Sequence, residues 1–347
     1  MSALKIQSLN CFYQKEQILK DLQLSLEKNE IICLLGESGC GKTTLLRAIA
    51  GLQDKVEGTI TINDITVLGN DIELAPENRK VGFIFQDYAL FPHLNVFDNI
   101  AFSLFKQSKK EQRKKVEDVL ALVQLSRYAD RFPHQLSGGQ QQRISIARAL
   151  AYQPDLMLLD EPFSNLDQHV RLQLIQDIRH LFKAHQISAL FVTHAKEEGF
   201  AFADKIALMQ AGKIVQIGSA KALYYQPTSR YVADFMGQSN YLQVQVQDET
   251  HFHCALGVIS SANQIKEKIG KHLLLLVRPE HLLLHIDEKA EGEVINVLFL
   301  GAYVEVKVRY KGDIYTLKQS SLHPIEVGLR VSLELLEHDF VFFDLAS

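Results

Sequence analysis

Residues 36–44 read GESGCGKTT, and no other stretch restricts the fold of this chain as tightly. The stretch sets Gly36, Gly41, Lys42 and Thr43 in the G-x-x-x-x-G-K-[ST] spacing that wraps backbone N–H groups around nucleotide phosphates. Glycines let those N–H groups turn inward, Lys42 adds a positive charge for the β- and γ-phosphates, and the Thr43 hydroxyl is a ligand for Mg²⁺. Such a loop works only between a strand and a helix. The apolar run 31–35 predicts the strand, and TLLRAIA at 44–50, closed by Gly51, predicts the helix.

With 347 residues the chain exceeds what one hydrophobic core usually supports, and 47% hydrophobic content suffices for two domains. A formal net charge of -4 argues against a general nucleic-acid binder, which carries a basic surplus. Cys11, Cys33, Cys40 and Cys254 form no C-x-x-C pair, so neither a disulfide framework nor a thiolate zinc site is expected, and a reducing cytoplasm is the natural setting. The N-terminal segment lacks the pattern of a signal peptide, and the most apolar stretch, 273–277, is far too short to span a bilayer. Any membrane role is expected to come through a partner.

From residue 4 to about 231, short apolar strands alternate with helical segments, which predicts an α/β core with parallel strands. Residues 156–160, 189–193 and 205–210 are strand candidates. Between about 87 and 138 the pattern turns helical, and 116–125 carries apolar residues at helical spacing, so a helical insert is expected there. The basic run 109–115, KKEQRKK, reads as a solvated helix start. After residue 239 the character changes: 303–310 alternates strictly, and 333–344 is strand-like. Gly301, Gly312 and Gly328 mark turns, so a C-terminal domain of small antiparallel barrels is predicted. The stretch 226–240 reads as the connection, with domains over 1–238 and 239–347.

Two further motifs bear chemistry. LMLLDEP, 156–162, sets two carboxylates after a buried run: Asp160 can hold the Mg²⁺ shell and Glu161 can polarise an attacking water. Alone, the pair reads as solvated loop carboxylates; beside a phosphate loop it does not. LSGGQ, 136–140, places Ser137, Gly138, Gly139 and Gln140 at a helix N-terminus, where free N–H groups attract phosphate, although an ordinary capped turn has the same look.

Together these residues resemble the ATP-binding cassette (ABC) family of transport ATPases. Residues 36–44 match its Walker A loop, 156–161 its Walker B strand and 136–140 its signature. Smaller matches fall in order: Gln86 resembles the Q-loop glutamine, 164–167 (SNLD, with Asp167) the D-loop, and His194 the switch histidine. Singly, Gln86 and His194 read as a surface amide and a strand-end histidine. Asn165 departs from the commoner Ala of the D-loop. The resemblance puts Tyr13 where the family stacks an aromatic ring on adenine, against a bland reading as a core aromatic. It implies a P-loop α/β cassette with a helical subdomain, binding ATP through Gly36, Glu37, Ser38, Gly39, Cys40, Gly41, Lys42, Thr43 and Thr44. Mg²⁺ would sit on Thr43, Gln86 and Asp160, with Glu161, His194, Gln86 and Lys42 serving hydrolysis. Two cassettes would pack head to tail, each ATP pinned between Lys42 of one chain and Ser137, Gly138 and Gly139 of the other.

The C-terminal third narrows the choice. LVRPE, 276–280, and FLG, 299–301, resemble the oligonucleotide-binding-like (TOBE) barrels of importer ATPases. Arg278 and Glu280 read equally well as a structural ion pair. LFPHLNVFDNI, 90–100, resembles the region where importers meet the coupling helix of the permease. The resemblance therefore implies a homodimeric ATPase on the cytoplasmic face of the inner membrane. It would drive separate permease subunits fed by a periplasmic binding protein, with no nucleic-acid partner. Ferric iron is the expected solute; a polyamine, sugar or oxyanion is the alternative. A soluble cassette ATPase acting on nucleic acid is the rival from another class, and salt-sensitive oligonucleotide binding would mark it.

Overall fold

The computed structural model describes residues 2–69, 71–164, 168–261 and 268–345. The chain forms two compact units, residues 1–220 and 221–347.

The first unit begins with long strands that the sequence pattern concealed. β1 (Ser2–Tyr13) and β2 (Glu16–Glu27) form a hairpin, and β3 (Ile31–Gly36) leads into the glycine loop and α1 (Lys42–Ala50). β4 (Val56–Ile62), β5 (Ile65–Gly69) and β6 (Ile72–Glu73) complete an antiparallel sheet in the order β2-β1-β4-β5-β6. Next come β7 (Val81–Ile84) and three helices: α2 (Val96–Ala101), α3 (Lys109–Leu122) and α4 (Gly138–Ala151). β8 (Leu156–Asp160), α5 (Gln168–Ala184), β9 (Ala189–Val192), α6 (Lys196–Phe202), β10 (Lys205–Gln210) and β11 (Lys213–Gly218) finish the unit.

The second sheet runs β11-β10-β3-β9-β8-β7, parallel from β10 to β7 with β11 antiparallel at the edge. Every residue of β3 is buried, as a central parallel strand covered on both faces requires. Leu4, Ile6, Leu24 and Ile60 of the first sheet share one core with Leu34, Leu158 and Leu190 of the second and Leu45 and Ile49 of α1. Buried Arg79 fastens the last turn of α1, donating to the carbonyls of Ala48 at 2.8 Å and Ile49 at 3.1 Å. The helical insert has its own core of Val96, Ile100, Val116, Leu120, Ile144 and Ala147, so it draws on α4 as well as on the expected 87–138.

In the second unit α7 (Ala220–Tyr225) and α8 (Arg230–Met236) precede β12 (Asn240–Val246), β13 (His251–Cys254), β14 (Gly257–Ser260) and β15 (His272–Val277). Then follow β16 (Leu282–Ile286), β17 (Gly292–Phe299), β18 (Tyr303–Tyr310), β19 (Asp313–Ser320), β20 (Arg330–Leu335) and β21 (Val341–Asp344). They make two antiparallel sheets, β14-β13-β12-β15-β21 and β16-β20-β17-β18-β19, sharing one core. The strand-like run 333–344 is not one strand: β20 joins one sheet, and β21 crosses to the other. The stretch 226–240, read as a plain connection, contains α8.

Arg278 explains why the compact division falls at 220/221, ahead of the 238/239 expected from composition. It is 1% exposed and donates to the carbonyls of Tyr224 at 2.9 Å, Ala233 at 2.9 Å and Gln238 at 3.1 Å. Its guanidinium lies 4.2 Å from the Tyr224 ring centre. The segment from Tyr224 to Gln238 is thereby bound to β15. Arg278 is not the ion-pair partner of Glu280, because Glu280 accepts instead from the Tyr224 hydroxyl at 2.5 Å.

Candidate nucleotide-binding site

The site grows from the end of β3. At Gly36, φ is +152°, and a Cβ would lie 2.4 Å from the Met209 carbonyl oxygen of neighbouring β10. At Gly41, φ is +105°, and a Cβ would lie 2.7 Å from Leu19. Only glycine fits either place. Gly41 is also the N-cap of α1, with no side chain covering the first N–H groups of that helix. Those donors face the loop, the arrangement that receives phosphate. Lys42 is 5% exposed, and its Nζ donates to the carbonyls of Gly36 and Glu37, both at 2.8 Å. Cys40 is a buried filler whose Sγ lies 3.7 Å from that Nζ.

β8 runs parallel two strands away from β3 and carries the carboxylates to the same sheet end. Thr43 Oγ1 donates to Asp160 Oδ1 at 3.1 Å. Burial raises the Asp160 carboxyl above its ordinary range, opposed by that hydrogen bond, while the Glu161 charge raises it further. Glu161 has φ +46°, a strained setting for a residue with a side chain, and its N–H is fixed by the Val192 carbonyl at 2.9 Å. Its carboxylate has two partners. His194 Nε2 lies 2.5 Å from Oε1, and Gln86 Nε2 donates to Oε2 at 3.2 Å.

Ser38, Gly39, Gly41, Lys42, Thr43, Thr44, Glu161 and His194 line one cavity of about 340 Å³, with Ile18 beside them. Ile18 was not anticipated, since an aliphatic residue in a strand gives no chemical signal. Tyr13 ends β1 and is 66% exposed, which rules out a core aromatic. Asn165 and Asp167 lie outside the described residues.

The signature residues stand apart. Ser137 caps α4, its hydroxyl accepting from Gln140 N at 3.4 Å while Gln140 Oε1 accepts from Ser137 N at 3.0 Å. Gly138 opens the helix. Ser137, Gly139 and Gln140 line a second cavity of about 320 Å³ with Arg143, Gln173 and Asp177, and none of its lining residues is shared with the first. A third, apolar cavity of about 420 Å³ lies among Phe83, Phe85, Phe91, Phe102, Arg148 and Tyr152.

The donor set suits magnesium nucleotide. Two glycines leave no room for a Cβ, a buried ammonium faces the loop, and a hydroxyl and carboxylate adjoin at 3.1 Å.

Comparison with known proteins agrees with this geometry. Residues 19–164 match the ABC transporter family, and residues 275–343 match the TOBE domain. The Fe(3+) ions import ATP-binding protein FbpC 2 of Haemophilus influenzae is 41% identical over 317 residues, covering 89% of this chain and 88% of that protein. The spermidine/putrescine import ATP-binding protein PotA of Roseobacter denitrificans is 40% identical over 308 residues, covering 85% of this chain and 84% of that protein. Among solved structures, the dimeric post-hydrolysis state of the ATP-binding cassette MJ0796 bound to ADP and Pi is 31% identical. It superposes with a TM-score of 0.54 over 62% of this chain and 98% of its own. A phosphate loop, a paired carboxylate and a capped signature helix, with 41% identity sustained along 89% of the sequence, lead to one conclusion: the chain belongs to the ABC transporter family of ATP-binding proteins.

Proposed function

We infer that the chain is the ATP-hydrolysing subunit of an importer, working as a homodimer beneath separate membrane permease subunits. The observation that carries this reading is Glu161 held between His194 and Gln86, beside a Thr43–Asp160 pair at the mouth of a glycine loop. In that setting Glu161 takes a proton from the attacking water, Lys42 balances phosphate charge, and His194 steadies the reacting end. Thr43, Asp160 and Gln86 would hold magnesium, which when bound neutralises charge on the β- and γ-phosphates.

The separation of the two polar cavities supports a dimer. Ser137 and Gly139 line a cavity that shares no residue with the phosphate-loop cavity, so ATP would join the loop of one chain to the signature of its partner, Gly138 included. Tyr13 and Asp167 complete the proposed nucleotide contacts. The apolar cavity around Phe91 and Phe102 suits a helix from a permease, and Phe91, from the expected region at 90–100, is part of its wall. No described helix is long and apolar enough to cross a membrane. In this reading, attachment at the cytoplasmic face of the inner membrane runs through the permease, with a periplasmic binding protein supplying solute.

Ferric iron is the proposed solute, supported by the FbpC relatives; the PotA relatives support a polyamine as the second reading. The chain would be reconstituted in lipid with its genomically neighbouring permease, and ATP hydrolysis measured with binding protein loaded with Fe(3+) or with spermidine. Stimulation by the iron-loaded protein alone supports iron. Stimulation by the spermidine-loaded protein alone transfers the assignment, and indifference to any permease removes the importer reading.

A further inference from the structure

The loop that carries His194 is fastened by residues with no part in the nucleotide chemistry above. Thr193 is 3% exposed, and its Oγ1 donates to Glu198 Oε2 at 2.6 Å while accepting from Ala195 N at 3.1 Å. One hydroxyl therefore ties the residue before His194 to the backbone of the residue after it and to the Glu198 carboxylate. Glu198 is 2% exposed, and its other oxygen lies 3.4 Å from Arg171 Nη1, close to the start of α5. Keeping a carboxylate in so dry a place is costly unless its partners are held in register. Burial raises the Glu198 carboxyl, with the Thr193 hydrogen bond and the Arg171 charge acting against it.

The charge of Arg171 is also felt by a third segment: it acts on the buried phenol of Tyr88, two residues beyond Gln86. That segment is tied down by its backbone, since Arg148 donates to the carbonyls of Tyr88 at 2.9 Å and Ala89 at 2.6 Å. Arg171 thus joins the start of α5 to the His194 loop through Glu198. A polar chain from α5 through Arg171, Glu198 and Thr193 ends beside the 2.5 Å contact between His194 and Glu161.

We propose that Thr193, Glu198 and Arg171 form a positioning clamp that holds His194 against Glu161 and makes that placement depend on the start of α5. The clamp rests on the reading of Glu161 and His194 as the hydrolytic pair. It acts on turnover rather than on nucleotide affinity, because none of its three members lines the phosphate cavity.

The test is steady-state ATP hydrolysis by the full chain, with kcat and KM determined separately and melting temperature measured alongside. Thr193→Val keeps the branched shape and removes the hydroxyl. It is expected to lower kcat on the order of tenfold while KM for ATP stays within about twofold, because a small misplacement of a reacting group costs rate and not binding. Thr193→Ser keeps the hydroxyl and is expected to retain most of kcat. Arg171→Lys reads the clamp from its far end without touching the strand, and a severalfold loss in kcat is expected there too. In a His194→Ala background, Thr193→Val should cause no further loss, since residues acting through one group are non-additive. Wild-type kcat in Thr193→Val, or an equal fractional loss with and without His194, would overturn the clamp. If His194→Ala alone hydrolyses like wild type, the reading of the pair fails, and the clamp fails with it for that separate reason.

Discussion

At the scale of single residues, the proposed chemistry centres on Glu161, whose two oxygens both have partners and whose φ is positive. Glu161→Gln preserves size and one acceptor but not basicity. It is expected to reduce phosphate release by about 10²-fold or more and to leave an ATP-bound dimer, seen as a doubled mass by light scattering with Mg-ATP. A variant turning over at the wild-type rate would contradict the assignment. Lys42→Ala should instead weaken nucleotide binding itself, read by equilibrium titration with a fluorescent ATP analogue. Gly36, Gly41, Lys42 and Thr43 were legible in the sequence because each does work that few residue types can do at a fixed spacing. Gln86 and His194 were legible only through resemblance, being ordinary when taken singly. Thr193 and Glu198 gave no signal, since their pairing depends on how a strand end turns into a helix.

Elements were legible to the extent that their periodicity was unbroken. β18, Tyr303–Tyr310, alternates cleanly and falls where the pattern set it. β2 alternates over Leu22–Glu27, but β1 does not alternate cleanly: its pairing with β2 shifts register between Ile6 and Leu9 and again around Cys11, and each bulge reverses the faces. The antiparallel sheet was hidden for that reason. The run 333–344 differs in another way: Glu337, His338 and Asp339 break its apolar character, and the chain changes sheets at that break. Helix caps offer a test at this scale. Ser108 and Ser137 form equivalent capping boxes on α3 and α4. Replacing either by Ala should cost about 1 kcal/mol in chemical denaturation. Only Ser137→Ala should also slow ATP turnover, because only that cap belongs to the proposed cross-chain nucleotide contact.

Across the whole molecule, each unit responds to its own conditions. In the second unit His281 and His338 lie with ring centres 3.9 Å apart. Burial, then the neighbouring His338, hold the His281 imidazole down to about 4 against its ordinary 6.5. Between these values the unfolded chain binds a proton that the folded chain refuses, so stability falls as pH drops from 6.5 toward 4 and is fully present above 6.5. Arg278 and Glu280 flank the pair with opposite effects on it. Hydrogen-exchange protection factors across β16 and β20, corrected for intrinsic rate, should fall in that window, and His281→Phe should flatten the response. The first unit has a consequence of another kind, written in the order of its strands. β3, which bears the phosphate loop, lies between β9 and β10, and the Met209 carbonyl closes over Gly36. A chain emerging from the ribosome therefore makes its loop early and its walls late. Until residues 189–210 have been translated, β3 lacks both neighbours, so the phosphate loop gains its walls only when nearly all of the first unit has been made.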